Sequence, residues 1–171
     1  MKTIIYNDDY LDRKDINKEV KRAKAIIINS NDELLLASSR NNYYLVGGHV
    51  EDDESDKDCL HREILEETGI DLEIKDIRPY FVVEYLCKDY PEVGDNTNYI
   101  ANYYLVGCDK KPDLEKVELT EGEKEGGFEL KYIHKNEVMR VLEESLNTCS
   151  KVNVVRDTID VVGEYLRQNE K

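Results

Sequence analysis

Apolar and polar residues along this chain follow two different periods, and these periods predict its elements. Segments rich in β-branched residues and bounded by Gly, Asn, Asp or Ser predict strands, whereas apolar residues every three or four positions predict amphipathic helices. No internal repeat interrupts the order of these segments. The predicted extended segments are Thr3–Tyr6, Lys21–Asn29, Glu33–Ser38, Tyr43–Val46, Leu72–Lys75, Ile77–Cys87, Tyr99–Cys108 and Phe128–His134, and the predicted helices are Ser55–Thr68, Asn136–Leu146 and residues 151–168.

The two ends of the chain are interpreted from composition and periodicity. Residues 1–20 are polar and mixed in charge, with a helical turn expected within Leu11–Val20, and are interpreted as an N-terminal arm. Residues 21–171 are then one domain, because 171 residues are typical of a single sizeable core. We expect the apolar stripe of the C-terminal helix to pack on its own domain rather than on a partner. That stripe consists of Val152, Val155, Ile159, Val162 and Leu166.

The helix predicted at Ser55–Thr68 has an acidic stripe. It contains no Pro or Gly, and its first residue is expected to cap the N-terminus, with Asp58 three positions later. Glu63, Glu66 and Glu67 stand at i, i+3 and i+4, so they share one face of the helix. The adjoining face is apolar and would contact the core.

Three carboxylates on one face repel one another, since like charges at i, i+4 destabilise a helix by about 0.2–0.5 kcal/mol. A hard divalent cation would remove this repulsion, and Mg²⁺ bound by carboxylates and by a substrate's phosphates is the usual case. For the three glutamates alone, a solvated acidic face is the simpler interpretation in so acidic a chain.

The spacing around this helix resembles the Nudix box. Residues Gly48 to Ile70 read GHVEDDESDKDCLHREILEETGI, which matches G-x5-E-x7-R-E-U-x-E-E-x-G-U at every specified position, where U is a bulky apolar residue. The resemblance implies an α/β fold, an α/β/α sandwich around a mixed β-sheet, with the box forming a loop, a helix and a second loop.

The resemblance also implies a hydrolase that uses Mg²⁺ (or Mn²⁺) to direct water onto a phosphorus of a nucleoside diphosphate linked to a group X. By this resemblance the metal ligands are Glu63, Glu66, Glu67 and the carbonyl oxygen of Gly47 or Gly48. Glu54 and Arg62 resemble the partners that fix the helix and orient Glu63. Such a reaction needs the phosphate charge neutralised and a water molecule activated.

Candidates for the general base and for the pocket wall also lie outside the box. In this superfamily the base is a box glutamate or one from a downstream loop, and the candidates here are Glu121, Glu123 and Glu125, with Glu121 preferred. Gly47 and Gly48 let the backbone approach a substrate closely. The tyrosines just before them are candidates for the pocket wall, with sheet packing as the alternative. These are Tyr43 and Tyr44.

Composition limits the partners. A net charge of −14 argues against binding a nucleic-acid polymer or an anionic membrane, and it favours a metal ion wherever the substrate is anionic. Four cysteines without a CxxC pattern argue against disulfides and zinc and predict a cytoplasmic protein. We expect no signal peptide, no membrane-spanning segment, and a monomer or homodimer with a small-molecule substrate.

Two other functions stay open at this point. A minority of box-bearing proteins rearrange a diphosphate ester and need an additional catalytic cysteine, for which Cys59 and Cys87 are available. The chain could also be a non-catalytic nucleotide-binding module. Such modules usually lose box carboxylates, and here none is lost. The identity of X depends on loops outside the box.

Overall fold

A computed structural model of the chain describes residues 2–75, 77–150 and 152–169. Its strands are β1 (Lys2–Tyr6), β2 (Lys18–Ile28), β3 (Glu33–Ser39), β4 (Asn42–Tyr44), β5 (Gly47–His49), β6 (Phe81–Cys87), β7 (Thr97–Gly107) and β8 (Glu129–His134). Its helices are α1 (Asp56–Thr68), α2 (Glu121–Glu125), α3 (Lys135–Ser145) and α4 (Val152–Asn169). A 3-10 turn covers Arg13–Asp15.

The strands form one mixed sheet. Its main path is β1-β6-β7-β2-β3-β4, while β5 pairs with β2 and β8 pairs with β3. β6 and β7 form an antiparallel hairpin, with a register from Phe81↔Tyr103 to Cys87↔Thr97. β2 and β7 run parallel from Lys18↔Thr97 to Ile28↔Gly107, which makes them the long centre of the sheet.

Helices cover both faces of this sheet, which confirms the α/β/α sandwich. Side chains alternate between the two faces along β2. Ala25 and Ile27 pack in one buried cluster with Leu60 and Ile64 of α1. Ile26 lies in the opposite cluster with side chains from α3 and α4.

The C-terminal helix packs on its own sheet, as expected. Val155 and Val162 are buried in the cluster that also contains Val138 and Leu142 of α3, whereas Val152 is 55% exposed. The predicted arm and domain also include Met1, Asp76, Lys151 and residues 170–171, which lie outside the described residues. Among the helices in the described ranges, none combines the length and the apolar character needed to cross a membrane.

The N-terminal segment differs from the expected helical turn. The turn is limited to Arg13–Asp15, and β2 already begins at Lys18. The polar start of β2 is extended because its backbone pairs with β7, an interaction that does not depend on apolar side chains. β1 pairs in parallel with β6 at the edge of the sheet. The division of the chain at residue 20 stays a prediction.

Later segments differ in smaller ways. Leu72–Lys75 does not form a strand, and the downstream loop expected to carry the candidate base glutamates contains the short helix α2. His134, rather than Asn136, caps α3, because its Nδ1 accepts a hydrogen bond from the Asn136 backbone N at 3.2 Å. The starts of α2 and α3 depend on caps made by the side chains of Thr120 and His134, which apolar periodicity does not report.

Candidate active site

Two glycines bring a loop against both the central strand and α1. Gly47 and Gly48 pair with Lys24 and Ala23 of β2. Gly47 has a φ of 134°, and a Cβ there would lie 2.2 Å from the carbonyl oxygen of Ala23. A Cβ on Gly48 would lie 2.2 Å from Oε1 of Glu63. Gly47 therefore needs glycine for its backbone conformation and close approach, whereas a Cβ at Gly48 would displace the carboxylate of Glu63.

Local signals fix the ends of α1. The backbone N of Asp58 donates a hydrogen bond to Ser55 Oγ at 3.2 Å, which confirms the predicted N-cap. Gly69 ends the helix in the left-handed conformation with a φ of 68°. Leu60 and Ile64 are fully buried, so α1 is held against the sheet with its acidic stripe beside the glycines.

Arg62 lies among the carboxylates of the box. Its guanidinium contacts Glu54, and its Nη1 donates to Glu63 Oε1 at 2.7 Å and to Glu66 Oε2 at 3.4 Å. Its Nη2 also donates to the carbonyl oxygen of His49 at 3.0 Å. The hydrogen bonds from Arg62 hold the pKa of Glu54 below its usual range. Arg62 therefore connects the loop, the start of the box and two carboxylates of the stripe.

Glu67 is a buried carboxylate. It is 8% exposed and accepts a hydrogen bond from the Gly47 backbone N at 3.2 Å. Burial raises the pKa of Glu67 to about 8, and the negative charge of Glu63 adds to the increase. Burial also raises the pKa of Glu63, although Arg62 opposes the change. Within the described ranges no cationic group lies within 4 Å of the Glu67 carboxylate.

A cavity of about 650 Å³ opens between α1, the glycines and residues 118–123. It gathers most of the predicted site residues, and Glu54 lies behind it as a partner of Arg62. The predicted residues that line the cavity are Tyr44, Gly47, Gly48, Arg62, Glu63, Glu66 and Glu67.

Besides Glu54, the predicted residues that do not line this cavity are Tyr43, Glu121 and Glu125. Tyr43 precedes Tyr44 in a strand, so their side chains lie on opposite faces, and Tyr43 packs against the cluster beneath α3 and α4. The Glu121 side chain is 87% exposed and pairs with Lys124 at 3.1 Å. Glu123 lies about 200° further around α2 and does line the cavity, as does Glu118.

Two cationic residues at the cavity were not predicted from the sequence. Arg22 and Lys24 both line it from β2. Their spacing of two places them on one face of a strand, together with Ile26. The sequence signal for these residues is the presence of two basic side chains, two positions apart, on a strand face that continues with Ile26.

The donors fit a hard divalent cation, although they are not gathered around one point. No cluster of three or more His, Cys, Asp or Glu side chains in the described part of the chain is arranged to hold a metal ion. Glu63, Glu66 and Glu67 offer the carboxylate oxygens that Mg²⁺ prefers, and a bound cation would stabilise the ionised form of Glu67, whose pKa burial raises. Their side chains would have to turn toward one another to share an ion, since Arg62 holds the first two.

Comparison with known proteins agrees with this architecture. The model of the NUDIX domain family matches residues 18–147, most of the chain. The chain therefore belongs to the NUDIX domain family. No curated protein matches the chain.

Solved structures show the same fold at low sequence identity. A MutT protein from Methanosarcina mazei Go1 is similar with a TM-score of 0.56 and 23% identity, over 91% of this chain and 98% of the other. The E. coli ORF135 protein is similar with a TM-score of 0.55 and 18% identity, over 90% and 92%. A MutT NUDIX hydrolase from Burkholderia pseudomallei has a TM-score of 0.53 and 21% identity, over 70% and 86%.

Proposed function

We propose that this protein hydrolyses the diphosphate linkage of a nucleoside diphosphate joined to a group X, and that it depends on Mg²⁺ or Mn²⁺. The observation that supports this most strongly is the convergence of Glu63, Glu66 and Glu67 on one cavity beside Gly47 and Gly48. Membership of the NUDIX family supports a hydrolase of this general type. A cytoplasmic location and the oligomeric state stay predictions.

The residues divide into ligands and positioning groups. Glu63, Glu66 and Glu67, with a glycine carbonyl, would hold the metal, which would supply positive charge to the phosphate oxygens and lower the pKa of a bound water. Arg62 and Glu54 hold Glu63 in place. Water oxygen forms a bond to phosphorus, the bridging P–O bond breaks, and the departing phosphate keeps that electron pair.

The proton released by water needs an acceptor at the cavity. Glu123 is the better candidate, because it lines the cavity while Glu121 is exposed and paired with Lys124. One oxygen of Glu123 accepts from the Thr120 backbone N at 2.8 Å and from the hydroxyl of that residue at 2.7 Å. This capping interaction holds the carboxylate in place. Glu118 also lines the cavity and is the second candidate.

The isomerase alternative is disfavoured by the state of its cysteines. Burial raises the pKa of Cys59 to about 12, and its Sγ lies 3.3 Å from the carbonyl oxygen of His49. Burial also raises the pKa of Cys87. Neither environment favours a thiolate, which is the reactive form of cysteine.

A product analysis tests the proposal. The purified protein would be incubated with Mg²⁺ and nucleotide sugars, dinucleoside polyphosphates, ADP-ribose, NADH, CoA and nucleoside triphosphates, and the products separated by anion exchange. We expect cleavage of at least one diphosphate linkage, loss of turnover on chelation, and recovery when Mg²⁺ or Mn²⁺ is returned. Tight binding without cleavage would instead favour a binding module, and full turnover after exhaustive chelation would refute the metal requirement.

A further inference from the structure

A second cavity, of about 700 Å³, adjoins the first on the face of the sheet covered by α4. The two share four lining residues: Arg22, Lys24, His49 and Val154. A ligand could therefore extend from the acidic stripe of α1 into the second cavity, passing over the two cations of β2. None of the carboxylates of the box lines this second cavity.

Lys24 is a buried cation at the junction of the two cavities. It is 6% exposed, and its Nζ has no acidic partner within 4 Å among the residues that the structure describes. Its nearest aromatic contact is the Tyr103 ring, with the Nζ 5.7 Å from the centroid. Lys24 is mostly buried but lines both cavities, and an ammonium there without a close acidic partner favours an anionic ligand that can reach it.

Arg22 reinforces the same position. Its Nε is buried and has no hydrogen-bond partner in the described ranges, and its guanidinium lies 5.8 Å from the centre of the Tyr99 ring. The other cations at the first cavity are engaged: Arg62 contacts three glutamates, and Arg40 lies 3.7 Å from Glu125. Arg22 and Lys24 have no carboxylate within 4 Å in the described ranges, so they concentrate positive charge at one point of a chain with a net charge of −14.

Asp157 of α4 is the alternative partner for Lys24. Its Oδ2 accepts a hydrogen bond from the Tyr103 hydroxyl at 2.7 Å, while its Oδ1 is buried without a partner in the described part of the chain. Burial raises the pKa of Asp157 although Lys24 and Arg22 oppose the change. Because no ion pair forms within 4 Å, Asp157 leaves the Lys24 ammonium available to a ligand.

Three of the residues that line the second cavity are tyrosines. Tyr85, Tyr90 and Tyr99 line it, and the rings of Tyr90 and Tyr99 lie 5.9 Å apart at a tilt of 57°. Aromatic side chains next to a cationic position suit a nucleotide, because the cation can contact its phosphate and the aromatic rings can stack on its base. Such stacking tolerates many base types.

We propose that Lys24 and Arg22 bind a substrate phosphate at the junction of the two cavities, and that the base joined to this phosphate through ribose occupies the tyrosine-lined cavity. This assignment deepens the proposed function and rests on it. It makes Lys24 a substrate-contacting residue outside the box. It places the cleaved linkage beside the acidic stripe and the nucleoside beside Tyr99.

Binding of AMP in the presence of EDTA tests the phosphate contact without hydrolysis. We expect the wild-type protein to bind AMP, and Lys24→Met to weaken the affinity about tenfold or more, since hydrogen bonds to charged groups are the strong ones. Lys135→Met is the matched control, because Lys135 pairs with Asp32 and lies outside both cavities. Arg22→Gln, at a less buried position, should weaken AMP binding in the same direction.

The position proposed for the base is tested with a second ligand, which lacks the base, and with a second variant. Ribose 5-phosphate should bind more weakly than AMP to the wild type, and Tyr99→Leu should reduce AMP binding without changing ribose 5-phosphate binding. Tyr10→Leu is the control, since Tyr10 is 91% exposed and lines neither cavity. If Tyr99→Leu lowered the affinities for AMP and for ribose 5-phosphate equally, the proposed contact between the base and Tyr99 would be wrong.

The outcomes separate this inference from the hydrolase proposal. Absence of AMP binding by the wild type, or wild-type affinity in both Lys24→Met and Arg22→Gln, would overturn the phosphate contact even if hydrolysis is found. A negative product screen with the expected AMP results would overturn the hydrolase and leave the ligand site established.

Discussion

Arg62 and Glu54 are joined by two parallel hydrogen bonds, from Nε to Oε1 at 2.8 Å and from Nη2 to Oε2 at 2.9 Å. This paired geometry matches the planar guanidinium, and a lysine ammonium cannot reproduce it. The remaining nitrogen, Nη1, donates to Glu63 at 2.7 Å. Arg62 therefore sets the position of Glu63 relative to the loop that holds Glu54.

Replacing Arg62 with lysine should separate positioning from metal binding. We expect Arg62→Lys to keep Mn²⁺ affinity within about tenfold of the wild type, while kcat falls by more than tenfold, because Glu63 loses its oriented partner. Mn²⁺ titration and kcat would be measured together, with Glu66→Gln as the comparison that weakens the metal directly. Unchanged turnover in Arg62→Lys would contradict the positioning role.

Glu67→Gln should remove activity without harming the fold. Glu67 is buried with no ion pair in the described ranges, and its raised pKa means that folding must either protonate its carboxylate or bury the charge. A glutamine avoids this cost and keeps an oxygen for the Gly47 N–H. We expect most turnover to be lost and the metal-free free energy of unfolding to stay equal or rise by up to about 2 kcal/mol. Denaturant melts decide this, with the more exposed Glu66→Gln as control. If Glu67→Gln lowered the free energy of unfolding by more than about 1 kcal/mol, Glu67 would have a structural role.

Gly48→Ala should displace the carboxylate of Glu63. The new Cβ would lie 2.2 Å from Oε1, and the flexible end of a glutamate can move away with little cost to the fold. We therefore expect metal affinity and kcat to fall while the melting temperature changes little. Gly107→Ala is the control, because a Cβ there meets nothing within 4 Å. If Gly48→Ala retained full turnover, this contact would not matter for the reaction.

Two substitutions in α2 should identify the proton acceptor. We expect Glu123→Gln to lower kcat about 100-fold, a typical contribution of a general base, and Glu121→Gln to leave it unchanged. Both variants remove one negative charge from the same short helix, but only Glu123 lines the cavity. Steady-state kinetics at saturating substrate would measure the difference. Equal effects would exclude Glu123, and Glu118→Gln would then be the next test.

Much of this site follows from local sequence. A cap at Ser55, a helix without Gly or Pro and a glycine at position 69 define α1, and the spacing of its glutamates places them on one face. These features depend on residues within a few positions of one another. The same holds for the alternation of β2 between two buried clusters, which predicts a strand covered on both sides.

The tertiary structure decided which residues outside the box lie at the cavity beside it. The sequence alone determined the family resemblance, the carboxylate stripe and the positions of most elements, because each depends on short-range periodicity. Long-range pairing decided that Lys24 lies beside Gly47, and helix phase decided that Glu123 rather than Glu121 lines the cavity. Such contacts join residues far apart in the chain or depend on about 100° of rotation per residue, and apolar patterning constrains neither of them.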